Sequence, residues 1–304
     1  MLISFVIPTY NYGHYITHCL DSILEQGRSD FEIIVVDDGS SDNTRSIIGD
    51  YARNHADVKI RYLHQVNKGP SAARNVGATQ ARGEYVWFVD ADDRLVAGAL
   101  DHVNAAIETF GNPAFIFGSH VYVNEKGKKT TRFASDIGID RNKNFRRFIR
   151  KKVSGISIGS LVVRQDVFGT LCFPEGIHNN EDNIFFGHLL ATRQGCSCRN
   201  ILVEKIGHKD SLRYNDRSIK ETGLTVDRLF DDWLLNDKQM SLRNIYLSDN
   251  YYALFRTRYR NNEYKEALLF YRKSIVANPF QLFRVHRFKQ AVRCFVKNLA
   301  VKTS

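Results

Sequence analysis

The chain has 304 residues, 43% hydrophobic and 25% charged, with a formal net charge of +10 at pH 7. Such proportions exclude a low-complexity or disordered chain and fit a globular protein of one large domain plus an appendage. The charge is uneven: residues 251–304 carry twelve Lys/Arg against two Asp/Glu, which leaves residues 1–250 close to neutral and makes the basic character a property of the C-terminal region.

Residues 2–7 are a nearly continuous apolar run that ends in Pro-Thr-Tyr-Asn, a turn signal. Helical spacing follows over 14–26, with Ile16, Leu20, Ile23 and Leu24 on one face. Residues 31–36 predict a second buried strand, followed by DDGSSDNT and a helix to about Arg53. A third strand is expected over 58–64, a loop and helix over NKGPSAARNVGATQA, and a fourth strand over 85–89. Continuous apolar strands alternating with helices predict a mostly parallel sheet covered on both faces, a Rossmann-like half over about 1–95. Beyond it the pattern changes. A helix is expected over 95–110, a strand and hairpin over 114–133, a strand over 158–163, and a helix over 182–191 with Ile184, Phe185, His188 and Leu189 on one face. Residues 220–236 and the tail read as helices. The stretch NNEYKEALLFYRKSIVANP, 261–279, is similar to one helix of a tetratricopeptide repeat. A single such unit cannot bury a solenoid core, so it reads as a helical appendage packed on the main domain.

Cys19, Cys172, Cys196, Cys198 and Cys294 are scattered and odd in number, unlike a disulfide framework. Cys196 and Cys198 lack the CxxC pairs of a zinc site. The opening MLISFVIPTYN has no basic n-region and its apolar run breaks at Pro8, so neither a signal peptide nor an anchor is expected. No run reaches the roughly 18–20 apolar residues of a membrane span. The expected compartment is the cytoplasm.

Ligands of open parallel α/β sheets bind outside the carboxyl ends of the strands. Three polar clusters fall at such ends: 8–11, 37–44 and 90–93. Each alone is commonplace, a turn or a solvated acidic pair; together they predict one site on one sheet edge. The last cluster, in WFVDADDRL, places Asp90, Asp92 and Asp93 within four residues. Capping a helix that begins near Leu95 accounts for one of these carboxylates, not three. A hard divalent cation, Mg²⁺ or Mn²⁺, supplies the missing counter-charge, and a diphosphate is its natural third partner. There is no GxGxxG after the first strand and no GxxxxGK[ST], against a dinucleotide cofactor or a P-loop. Lys68 and Arg74 are candidates for holding phosphate; Arg74 serves equally well as a tie to a carboxylate.

VIPTYN (6–11), VVDDGSSDNT (35–44), NKGPSAARNVGATQARGEYVWFVDADD (67–93) and NNEDNIF (179–185) occur in an order and at a spacing that resemble glycosyltransferase family 2. The resemblance covers roughly residues 1–215. It implies a GT-A fold over about 1–220, with 1–95 as the nucleotide-binding half and 96–220 as the acceptor half; outside the resemblance, spacing and charge make 221–304 a helical basic region. It further implies an inverting, metal-dependent enzyme using a nucleotide-sugar, typically a UDP-sugar, and Mn²⁺ or Mg²⁺. Thr9, Tyr10 and Asn11 would line the nucleotide pocket. Asp38 would bond the base with Arg74 nearby, Asp90 and Asp92 would form the Asp-x-Asp motif with Asp92 the direct ligand, and Asp93 would shape the site. Glu181 and Asp182 match the family's Glu-Asp pair, in which the Asp is the usual base; a plain helix N-terminus would also favour acidic residues there. After that pair the match loosens, and His208, Lys209, Ser211 and Arg213 of IGHKDSLRYND are candidates for diphosphate or metal contact.

The aromatic and basic residues of 251–304 suit three arrangements: packing on the catalytic domain, an anionic membrane surface or nucleic acid. Packing with weak membrane affinity ranks first, in keeping with a glycan or lipid-linked acceptor of surface polysaccharide synthesis and a peripheral place on the inner face of the cytoplasmic membrane. Nucleic acid ranks last, since no recognition motif accompanies the charge. Rival readings are a nucleotidyltransferase, whose Gly-rich basic signature PTYNYGH lacks, and a non-catalytic nucleotide-sugar-binding module.

Overall fold

The computed structural model describes residues 2–177, 180–208, 218–231 and 233–303. Two compact units divide the chain, Met1–Asn215 and Asp216–Ser304. In the first, strands β1 (Ile3–Thr9), β2 (Phe31–Asp37), β3 (Ile60–His64) and β4 (Tyr85–Phe88) alternate with helices α1 (Gly13–Leu24), α2 (Thr44–Asn54) and α3 (Pro70–Gln80). β5 (Arg94–Leu95), α4 (Ala99–Phe110), β6 (Phe115–Val123), β7 (Lys129–Arg132), α5 (Arg141–Ile149), β8 (Leu161–Arg164), α6 (Glu181–Thr192) and β9 (Cys196–Ile206) follow.

One mixed sheet results, ordered β3-β2-β1-β4-β8-β6-β9-β5, with β7 hairpinned onto β6. β3, β2, β1 and β4 run parallel, and β1, β2 and β4 are buried on both faces, as in a parallel sheet covered by helices. Beyond β4 the sheet turns antiparallel, except for the parallel pair of β6 and β9. Alternation sorts the strands onto two layers. Phe5, Ile7, Ile33, Val35 and Trp87 enter one core together with α1 and α4. Val6 and Val36 lie under α3, where a Cβ on Gly77 would come within 2.2 Å of Val6 Cγ1. Only glycine lets α3 press that closely on β1, and Arg74 sits one turn earlier on the same helix.

Several boundaries differ from expectation. The helix expected from Leu95 starts at Ala99, because Arg94 and Leu95 pair with Glu204 and Val203 of β9. The strand expected over 158–163 begins with a 3-10 turn, Ile158–Ser160. α6 is buried continuously from Ile184 to Ala191, so its apolar residues do not mark one face. The sequence reading lacks α5 and β9 altogether.

The second unit contains α7 (Ser218–Leu229), which ends well short of the expected Asn236, then α8 (Asp237–Met240), α9 (Arg243–Arg260), α10 (Tyr264–Ala277) and α11 (Val285–Thr303). Its core gathers Tyr252 and Phe255 of α9, Ala267, Phe270 and Tyr271 of α10, and Ala291 and Cys294 of α11. Among the described residues, no helix is long and apolar enough to cross a membrane.

Candidate active site

Parallel register brings the three polar clusters to one edge: Thr9 lies opposite Asp37, and Val6 opposite Phe88, two residues before Asp90. The first two clusters are sewn together. Asn11, at φ 57°, donates its backbone N–H to Ser40 Oγ (2.8 Å) and accepts from Ser41 N–H on Oδ1 (2.8 Å). Asp37 accepts from Ser40 N–H (2.8 Å) and the Tyr62 hydroxyl (2.6 Å). Asp38 accepts from Gln65 Nε2 (2.7 Å), Lys68 N–H (2.9 Å) and Gly69 N–H (2.7 Å). Its buried carboxylate thus pins the loop that enters α3. Lys68 contributes its backbone to that tie, and its side chain is exposed. Thr9 Oγ1 is buried with no hydrogen-bond partner, while Tyr10 next to it is exposed.

The third cluster is built differently. Asp93 N–H donates to Asp90 O (2.9 Å), making a turn rather than a helix cap. One carboxylate oxygen from each of Asp90, Asp92 and Asp93 lies within 4.8 Å of the others. Side-chain cations answer this density. Arg74, almost fully buried, reaches Asp90 Oδ1 (3.0 Å) with one nitrogen and Glu181 Oε1 (3.3 Å) with another, its guanidinium 5.5 Å from the centre of the Phe173 ring. Lys205 Nζ lies 3.6 Å from Asp90 Oδ2, 3.4 Å from Asp93 Oδ2 and 3.0 Å from Ser157 Oγ. His208 Nε2 meets Asp92 Oδ2 at 2.8 Å, and its ring packs against Tyr12 and Tyr15.

Burial, with the neighbouring carboxylates adding, pushes Asp93 up to about 7 against the pull of Lys205. Burial and Asp90 raise Asp92 in the same direction, opposed by His208. Glu181 is pushed up to about 7 by burial, then by Asp182, with Arg74 opposing. A cluster that strains against ionisation in this way fits a further cation. Its donors are hard carboxylate oxygens gathered within 4.8 Å of one another, a set that suits Mg²⁺ or Mn²⁺.

Arg74 is therefore a carboxylate tie, and through it the structure joins the Asp-rich turn to the start of α6. Glu181 and Asp182 occupy the first turn of α6, where Asp182 Oδ1 accepts from Asn183 N–H (2.8 Å). Lys205, Ser157, Tyr12 and Tyr15 are neighbours that sequence reasoning missed. The one local signal was the charged pair Glu204–Lys205 interrupting an apolar run just before His208. Lys209, Ser211 and Arg213 lie outside the described residues.

Residues 4–171 match the family model described as Glycosyl transferase family 2. The chain belongs to that family. A relative in Bacillus subtilis, the uncharacterized glycosyltransferase EpsJ, is 40% identical over 129 residues, 42% of this chain and 36% of its own length. The poly(ribitol-phosphate) beta-N-acetylglucosaminyltransferase TarS of Staphylococcus aureus is 32% identical over 187 residues, 61% of this chain and 32% of its own. The matches thus span about a third of these curated relatives. Among solved structures, S. aureus TarS 1-349 in complex with UDP-GlcNAc superposes with a TM-score of 0.69 at 20% identity, over 100% of this chain and 93% of that one. The Pyrobaculum calidifontis mannosyltransferase PcManGT, in complex with GDP-Man and Mn²⁺, gives 0.54 at 20% identity, over 98% and 86%. At such identities the likeness speaks to the fold: this family member has a GT-A sheet with a helical C-terminal region.

Proposed function

We propose that the chain is an inverting, metal-dependent glycosyltransferase. It moves a hexosyl or N-acetylhexosaminyl group from a UDP-sugar to a hydroxyl of a glycan or lipid-linked acceptor in surface polysaccharide synthesis. The observation that carries this reading is the bridge through Arg74, which holds Asp90 and Glu181 to one guanidinium. It sets a cation-type carboxylate cluster beside a second carboxylate pair, the two things an inverting transfer needs. The UDP-GlcNAc complex of TarS supports the choice of donor, and the Mn²⁺ in PcManGT supports the metal.

In this reading Asp92, with Asp90, would hold Mn²⁺ or Mg²⁺, which would supply charge stabilisation to the leaving diphosphate. Asp93 stays a tie to Lys205 and to Ile206 N–H (3.2 Å). Thr9, with its unpartnered hydroxyl, and the exposed Tyr10 line the nucleotide pocket, and Asn11 fixes its floor. Asp38 holds the loop that faces the base and keeps lone-pair capacity for it. Lys68 offers its exposed ammonium to phosphate oxygens. Asp182 takes the proton of the acceptor hydroxyl as the new glycosidic bond forms and the anomeric C–O bond breaks, its electron pair leaving with UDP. Glu181, tied to Arg74, orients that turn of α6. Residues 1–95 serve the donor and 96–220 the acceptor. The basic region from 221 onwards brings this cytoplasmic enzyme to the anionic inner face of the membrane.

The test is turnover of a nucleotide-sugar panel by the purified chain, with and without EDTA. Asp182→Asn is expected to lower transfer at least about 100-fold while UDP still raises the melting temperature. Turnover indifferent to EDTA, or UDP binding lost in Asp182→Asn, contradicts the assignment.

A further inference from the structure

The second unit carries a surface that its own core does not use. α11 turns Ala291 and Cys294 inward against α9 and α10. Val285, Phe288, Val292, Phe295, Val296 and Leu299 of the same helix are all exposed. At about 100° per residue these six fill one sector ~100° wide, centred ~120° around the helix from the packed face. Phe280 and Phe283, in the 3-10 turn Pro279–Phe283 just before the helix, are 76% and 80% exposed. A further face between the apolar sector and the packed one carries His286, Lys289, Arg293 and Lys297. Residues 279–304 hold six Lys/Arg and no Asp/Glu. Contiguous exposed apolar area of this kind marks a binding surface.

Charge selects the partner. In a two-fold pairing of identical copies the same patch meets itself, and neither copy's 279–304 stretch offers an acidic residue to neutralise the basic line of the other. Among the described residues, no helix is apolar and long enough to span a bilayer. A helix with an apolar stripe beside a basic one is suited to lie in the plane of an anionic interface. We propose that this face of α11 docks on a membrane surface rich in anionic lipid. Phe288, Phe295 and their neighbours enter the acyl boundary, and Lys289 and Arg293 lie at headgroup phosphates. The inference rests on the membrane placement proposed above and narrows it to one face of one helix, independently of the transfer chemistry.

The test is co-sedimentation of the full chain with vesicles of phosphatidylcholine, alone or with about a third phosphatidylglycerol. Binding is expected to the anionic vesicles only, and to weaken with salt. Phe288→Ser/Phe295→Ser is expected to lower partitioning at least about tenfold by withdrawing two buried rings. Lys289→Glu/Arg293→Glu, which leaves the apolar stripe intact, should also abolish the preference for anionic lipid. Both variants should keep the native far-UV circular dichroism and the UDP-dependent rise in melting temperature. Equal partitioning of native and variant chains overturns the proposal. So does a native dimer in sedimentation velocity that Phe288→Ser/Phe295→Ser dissolves while vesicles capture nothing. Vesicle binding without turnover of any nucleotide-sugar would remove the transferase reading and leave this surface standing; turnover without vesicle binding would do the reverse.

Discussion

At the end of β2, Asp37 and Asp38 accept hydrogen bonds from backbone amides, from Tyr62 and from Gln65. At the end of β4, on the same edge, Asp90, Asp92 and Asp93 face Arg74, Lys205 and His208, and Ile206 N–H reaches Asp93. The two acidic stretches look alike in the sequence. One builds a turn and pins a loop; the other crowds three carboxylates together, and burial, with the neighbouring carboxylates adding, raises Asp92 and Asp93. Carboxylates that amides satisfy stabilise the fold, and carboxylates left straining await a ligand.

Substitutions at the two sites should therefore part company. Asp92→Ala is expected to lower transfer by about two to three orders of magnitude, the worth of several kcal/mol of charge stabilisation in the transition state. Its urea midpoint should barely move, because a desolvated carboxylate contributes little to folding. A midpoint that falls with activity would erase the distinction. Asp38→Asn should do the opposite to the fold. An amide keeps one acceptor oxygen and turns its NH₂ toward the other side, against either Gly69 N–H or Lys68 N–H, and stranding such a donor costs on the order of 1–3 kcal/mol, read as a lower urea midpoint. A variant as stable as the native chain would show that the loop does not depend on this tie.

Glu181 belongs with the straining class and has a pH signature. Its folded-state pKa of about 7 lies above the ordinary 4.5. The cost of ionising it is absent below the lower value, grows through the window between the two, and is complete above the higher one. Glu181→Gln should therefore gain on the native chain as pH rises, by on the order of 1–3 kcal/mol at about pH 8 and nothing at about pH 4. Melting curves across that range check it; a difference independent of pH contradicts the assignment.

The parallel half was legible because β1, β2 and β4 are largely apolar runs between turn signals, so the convergence of three polar clusters followed from topology. β9 was not legible: CSCRNILVEKI mixes polar and apolar residues without a clean period, and its place between β6 and β5 is set by partners far away in sequence. β5 is two residues long and exists only because β9 lies beside it. α5 hid behind an arginine-rich composition, although Asp140 caps it through Lys143 N–H (3.0 Å) and Phe145, Phe148 and Ile149 hold one buried face. Lys205 went unread for the same reason as its strand. Its role depends on lying across from Asp90 and Asp93, which no local pattern reveals.

The central claim is that the Asp90–Asp93 turn holds a divalent cation for a nucleotide diphosphate. Thermal shift by UDP, with Mn²⁺ and with EDTA, in the native chain and in Asp92→Ala, tests it most directly. The account predicts that Mn²⁺ enlarges the UDP shift in the native chain and leaves it unchanged in Asp92→Ala. A UDP shift in the native chain that is the same with Mn²⁺ as with EDTA would contradict it.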